Sequence, residues 1–144
     1  MPDIYIIMGT NNTRKSSVVR ALTGVCQRGI YQISTRSGDI DVFVQISALQ
    51  EAGILPNQFT NEIKGIVCGA VLVPLHVGGK NNGLQYINAF VTAGWNIKHI
   101  SLFGITALPY PLPSGICSPF PISTTRTDPA NKTASVLRNN WMWL

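Results

Sequence analysis

"MGTNNTRKSS", residues 8–17, follows the apolar run Ile4–Met8 and precedes a segment with Val18, Leu22 and Val25 at helical spacing. A short, nearly continuous apolar run suits a strand buried on both faces. The spacing that follows predicts a helix from Ser16 to Val25, with Gly24 as its stop signal. Strand, glycine-led loop and helix in this order aim backbone N–H groups and the positive end of the helix dipole at one point, where an anion is stabilised.

Downstream, "IYQISTRSGDIDVFVQIS" alternates in period two around Ser37-Gly38-Asp39, which predicts a hairpin with Ile40, Val42, Val44 and Ile46 on one face. Ser47 and Gln50 have capping-box spacing, so a short helix is expected from Ala48 to near Gly53, and a second from about Asn57 to Lys64. "GAVLVPLHV" and "IKHISLFGI" read as apolar strands. Between them, "NNGLQYINAFVTAG" places Leu84, Ile87 and Val91 on one helical face, with Asn82 as N-cap and Gly94 as C-cap. Alternating strands and helices imply an α/β fold, a mostly parallel sheet flanked by helices.

From Thr106 onward Pro109, Pro111, Pro113, Pro119 and Pro121 interrupt the pattern, and Ala107 to Thr127 is expected to be irregular. Asp128 as cap and Pro129 at the first helical position then predict a last helix displaying Val136, Leu137, Trp141 and Trp143, the tryptophans docking on the core or on a subunit interface. Residues 1–105 thus form the α/β core, and residues 106–144 a Pro-rich segment and C-terminal helix of the same domain.

The 144 residues are 45% hydrophobic and only 12% charged, against about 25% charged in ordinary domains. So thin a charged surface leaves apolar area for a protein partner or a second copy of the chain. No run approaches the roughly 18 apolar residues of a membrane span, and the first residues lack the marks of a signal peptide, so no membrane and a cytoplasmic location are expected. Cys26, Cys68 and Cys117 share no metal-site or disulfide spacing and read as buried thiols. The net charge of +5 comes from scattered basic residues without interleaved aromatics, so a nucleic-acid partner is only an alternative.

Gly9-Thr10-Asn11-Asn12-Thr13-Arg14-Lys15-Ser16 fits the pattern G-x-x-x-x-G-K-[S/T] at every fixed position but Arg14. Here the chain resembles the P-loop NTPase superfamily, and the order of elements over residues 4–105 looks like the first five strands of a Ras-like domain. The resemblance implies a P-loop NTPase-like three-layer sandwich that binds ATP or another nucleoside triphosphate with Mg²⁺. Gly9, Thr10, Asn11, Asn12, Thr13, Arg14, Lys15, Ser16 and Ser17 would form the cradle, with Lys15 on the β- and γ-phosphates and the Ser16 hydroxyl on the metal. Arg14 cuts both ways: its Cβ restricts the tight backbone that glycine permits, while its guanidinium adds a phosphate-matching cation. The plain alternative is a loop and helix start in which Asn11, Asn12 and Thr13 are turn and cap residues.

Catalytic residues are harder to find. The acids are Asp3, Asp39, Asp41, Glu51, Glu62 and Asp128, and none ends an apolar strand, where such a domain normally keeps its Mg²⁺-organising acid. Gln50 and Glu51 are candidates to orient a water; as a capping-box residue and a solvated helix residue they also have ordinary explanations. Guanine-reading N-K-x-D and D-x-x-G motifs are missing, so guanine specificity has no support, and ATP is preferred over GTP only because it is the more abundant nucleotide. His76 ends an apolar strand at the edge where ligands bind open α/β sheets, Lys80 lies in a glycine-rich loop at the same edge, and Arg126 is a candidate phosphate sensor. His99 has no assigned role, and no catalytic triad or metal cluster is suggested.

The expectation is a small nucleotide-binding protein with weak or absent hydrolysis, acting as a switch or assembly component. The alternative is a non-catalytic protein- or nucleic-acid-interaction protein on a P-loop-like fold that has lost nucleotide binding. A small-molecule kinase is a third reading, which would require an acceptor pocket with a carboxylate base; the shortage of acids argues against it.

Overall fold

The first apolar run forms strand β1 (Asp3–Gly9), whose side chains alternate between two cores: Ile4, Ile6 and Met8 enter one, Tyr5 and Ile7 the other. The computed structural model describes residues 2–11 and 13–144. Helix α1 (Lys15–Thr23) follows, stopped by Gly24 in the left-handed conformation at φ 72°. Strands β2 (Gly29–Thr35) and β3 (Gly38–Val44) form the expected antiparallel hairpin. After them come α2 (Pro56–Lys64), β4 (Ala70–His76), α3 (Gly83–Thr92), β5 (Asn96–Phe103), β6 (Phe120–Ile122) and α4 (Ala130–Trp141).

The six strands make one sheet in the order β2-β3-β4-β1-β5-β6, with every neighbouring pair parallel except β2 and β3. Phe59 and Ile63 of α2 and Tyr86, Ile87 and Phe90 of α3 cover one face. Val18, Val19 and Leu22 of α1 and Ala134, Leu137 and Trp141 of α4 cover the other. β1 and β4 are adjacent, yet β1 leads to α1 on one face and β4 to α3 on the opposite face. Connections that diverge in this way leave a crevice at the carboxyl ends of the strands.

Four local expectations are corrected. Residues 49–53 form turns in place of the helix expected from Ala48, and Gln50 bonds to the end of β4 rather than capping its own backbone. A short strand, β6, lies inside the Pro-rich segment; Pro121 is tolerated because β6 is an edge strand, where one missing N–H costs little. The last helix starts at Ala130, and the Asp128 carboxylate does not cap it but stands 3.6 Å from Lys132 Nζ. Cys26 is exposed, and only Cys68 and Cys117 are partly buried.

The Pro-rich segment lies against the molecule, packing Leu108, Tyr110, Leu112 and Ile116 onto the α2/α3-side core, and Tyr110 OH donates to Val77 O at 2.7 Å. Trp141 and Trp143 dock on the opposite core, their rings 5.1 and 5.0 Å from that of Tyr5, while Val136 stays exposed. Arg138 Nη2 donates to the carbonyls of Ala21 and Leu22 at 2.7 and 3.2 Å, satisfying the C-terminal end of α1 with a cation. No helix among the described residues is long and apolar enough to cross a membrane.

Candidate functional site

The loop after β1 sits at the mouth of the crevice. In the register of the sheet Gly9 lies between His76 of β4 and Phe103 of β5. A Cβ on Gly9 would fall 2.6 Å from Thr13 Oγ1 and 2.8 Å from Phe103 O, so only glycine fits there. Thr13 is buried and its hydroxyl donates to Thr10 O at 2.9 Å, closing the loop on itself. Asn12 lies outside the described residues.

Arg14 takes the conformation for which glycine is preferred, with φ 64° and ψ 29°. It is one of two described non-glycine residues with positive φ. The left-handed region costs an L-residue about 1–2 kcal/mol, so the loop keeps its path at an energetic cost. The guanidinium does not point back over the loop as an extra phosphate ligand; its Nη1 donates to Asp128 O at 3.1 Å, tying the loop to the segment before α4.

Lys15 opens α1 and is only 6% exposed. Its Nζ donates to Thr10 O at 2.7 Å, to Thr13 Oγ1 at 3.2 Å and to Gly9 O at 3.4 Å, so the ammonium is folded onto the loop's own acceptors. Burial pulls its pKa down to about 8, against the opposing pull of the Glu51 carboxylate. The first helical bond here is Val18 N to Arg14 O, so the amides of Lys15, Ser16 and Ser17 have no acceptor within the helix. In front of them is a pocket of about 170 Å³ lined by Thr13, Arg14, Lys15, Ser16, Ser17, Ala48 and Glu51.

The two candidates for orienting a water separate. Gln50 is fully engaged as a clamp: its Nε2 donates to His76 O and Asn81 O, both at 3.0 Å, and its Oε1 accepts from His76 N at 3.0 Å. Glu51 is not a residue of a solvated helix. It borders the pocket and its Oε1 lies 3.1 Å from His76 Nε2. Burial and the charge of Lys15 lower the His76 pKa, against the raising influence of Glu51. With His76 neutral, the geometry has Nε2–H donating to Glu51, while the buried Nδ1 has no hydrogen-bond partner among the described residues.

Arg126, more than a hundred positions away in sequence, reaches the loop: its Nη2 donates to Thr10 Oγ1 at 3.1 Å and to Asn11 O at 3.4 Å. A second cleft, of about 500 Å³, opens on the β4 side of the loop; its lining includes Thr10, Asn11, Gln50, His76, Lys80 and Tyr86. Asp41, by contrast, lies in β3 away from the loop, and the buried Gln45 follows that strand where an acid was sought. His99 lies in the middle of β5 opposite Tyr5 and stacks on Tyr5 and Trp141. Sequence reasoning missed the His76–Glu51 pair, whose one available signal was that His76 ends β4 and Glu51 follows the end of β3.

Among the described residues no three His, Cys, Asp or Glu side chains gather into a metal cluster. Comparison with protein-family models, with curated proteins and with solved structures yields no match.

Proposed function

We propose that this protein binds the polyphosphate of a nucleoside triphosphate, ATP in preference to GTP, at Gly9–Ser17 on a P-loop-like α/β scaffold. The observation that carries the proposal is the conformation of Arg14: a residue that disfavours the left-handed backbone nevertheless holds it. The loop therefore bends as a glycine would bend it, and the amides of Lys15, Ser16 and Ser17 stay directed at the pocket. The buried ammonium of Lys15 would exchange its bonds to loop carbonyls for phosphate oxygens, which are stronger acceptors.

Ser16 would supply its hydroxyl to Mg²⁺, whose other ligands would be phosphate oxygens and water. The ion would neutralise phosphate charge. Glu51, held by His76, is the carboxylate available to orient a nucleophile. Standing on a turn and more than half exposed, it supports weak rather than efficient hydrolysis. Arg126 would leave Thr10 and Asn11 for the phosphates, and the segment leading into α4 would respond to nucleotide. This supports a switch or assembly role.

The rival reading, a fold that has lost nucleotide binding and serves as an interaction protein, is favoured by one specific feature: Lys15 already satisfies itself on the loop. Calorimetry with Mg²⁺ and ATP or GTP separates the two. Saturable binding that disappears in Lys15→Ala supports the nucleotide site. No binding by the wild type, with binding gained in Arg14→Gly, would mean a closed loop and favour the rival.

A further inference from the structure

The cleft on the β4 side of the loop is larger than the phosphate pocket and differently lined. Its volume of about 500 Å³ falls within the usual range for small-molecule sites, about 300–1,000 Å³. One wall is apolar, formed by Ile54, Leu55 and Tyr86, and Asn81 and Lys80 lie on the glycine-rich loop Gly78–Asn81. Two cations stand at the cleft: Lys80 in its lining and Arg126 on Thr10 and Asn11. Neither is among the ion pairs of the described residues, which join Arg28 to Glu62, His76 to Glu51 and Lys132 to Asp128. Such cations favour an anionic ligand.

The position of the His76–Glu51 pair gives the cleft a role. His76 lines the cleft, Glu51 lines the phosphate pocket, and their 3.1 Å contact bridges the two. We infer that the cleft is the acceptor site of a phosphoryl transfer, taking a small anionic hydroxyl compound such as a phosphomonoester and holding its hydroxyl toward the terminal phosphate of the bound triphosphate. This rests on the nucleotide reading above, because that triphosphate is the donor.

In the step, the acceptor hydroxyl oxygen forms a bond to the γ-phosphorus. The bond from that phosphorus to the β,γ-bridging oxygen breaks, and its electron pair stays with the departing nucleoside diphosphate. The hydroxyl proton passes to the Glu51 carboxylate, which His76 Nε2–H holds in place. An enzyme whose nucleophile is a bound hydroxyl gains by excluding water, so slow hydrolysis of the triphosphate alone is expected of it.

The test uses the full ¹⁵N-labelled chain. Mg·ATP is added first, and then, at saturation, inorganic phosphate, glycerol 3-phosphate or ribose 5-phosphate. The expected result is that ATP shifts the amides of residues 15–17, and that the added phosphate compounds shift those of residues 78–81 and Tyr86 saturably. Lys80→Ala should weaken the second set roughly tenfold or more and leave the first unchanged. In ³¹P spectra a new phosphoester should accumulate only with a hydroxyl-bearing probe, with ADP formed in step with it and faster than by hydrolysis alone, and Glu51→Gln should abolish this transfer while the probe shifts persist. ATP shifts at residues 15–17 with no response at residues 78–81, or an equal response in Lys80→Ala, would overturn the acceptor site and leave the nucleotide reading standing. Absence of the ATP shifts would remove the donor and overturn both.

Discussion

Replacing Lys15 by methionine removes a buried ammonium while keeping much of the volume of its side chain. The lysine pKa falls from 10.5 in a free chain to about 8 in the folded protein, chiefly through burial. Between those values the unfolded chain binds more protons than the folded one, so the stability of the wild type rises with pH across that window and falls as pH drops toward 8. At 1.36 kcal/mol per pKa unit the whole effect is about 3 kcal/mol, of which about 2 kcal/mol lies between roughly pH 7.5 and 9.5. Urea unfolding of wild type and Lys15→Met at both ends of that range measures it, because tyrosine and cysteine titrations common to both proteins cancel in the difference. The wild type should gain about 2 kcal/mol relative to the variant on going to the higher pH. Parallel pH profiles would refute the argument, since they would mean that Lys15 pays no desolvation penalty and is not sealed on the loop. The same linkage predicts that a bound phosphate, by stabilising the ammonium, is accompanied by proton uptake above pH 8.

Gly9→Ala should destabilise the fold by about 2–3 kcal/mol, because its Cβ has no room against Thr13 Oγ1 and the Phe103 carbonyl; a thermal shift of less than a degree would contradict this. Gln50→Ala breaks three hydrogen bonds to the end of β4 and to Asn81 and should cost about 2–3 kcal/mol in urea unfolding, with faster amide exchange at His76; unchanged exchange there would deny the clamp. Trp141→Ala should cost about 3–5 kcal/mol, since the ring is 3% exposed and packs on Tyr5 and Trp143. A near-neutral effect would mean that the C-terminal helix is not part of the core.

The strands and helices were largely legible because burial imposes a period on the chain. Ile4–Met8 and Ala70–Leu75 are buried and almost wholly apolar because helices cover both faces of the sheet, and Gly24 and Asn82 mark a helix end and a helix start for local backbone reasons. The failures came where distant residues outbid local rules. Gln50 has a capping-box position but bonds across to β4, and Pro121 has no business in a sheet except on an edge that the sequence does not announce.

By itself the sequence determined the α/β class, the strand-loop-helix unit and the identity of Lys15 as the cation at its turn, because hydrophobic period and turn chemistry act between near neighbours. Only the tertiary structure decided that β4 lies beside β1, that Glu51 meets His76, and that Arg126 reaches Thr10. It also decided that Arg14 turns to Asp128 instead of toward the loop. Each of these joins residues whose separation in the chain carries no periodic signal, and each is fixed by how the sheet orders its strands and where their ends converge.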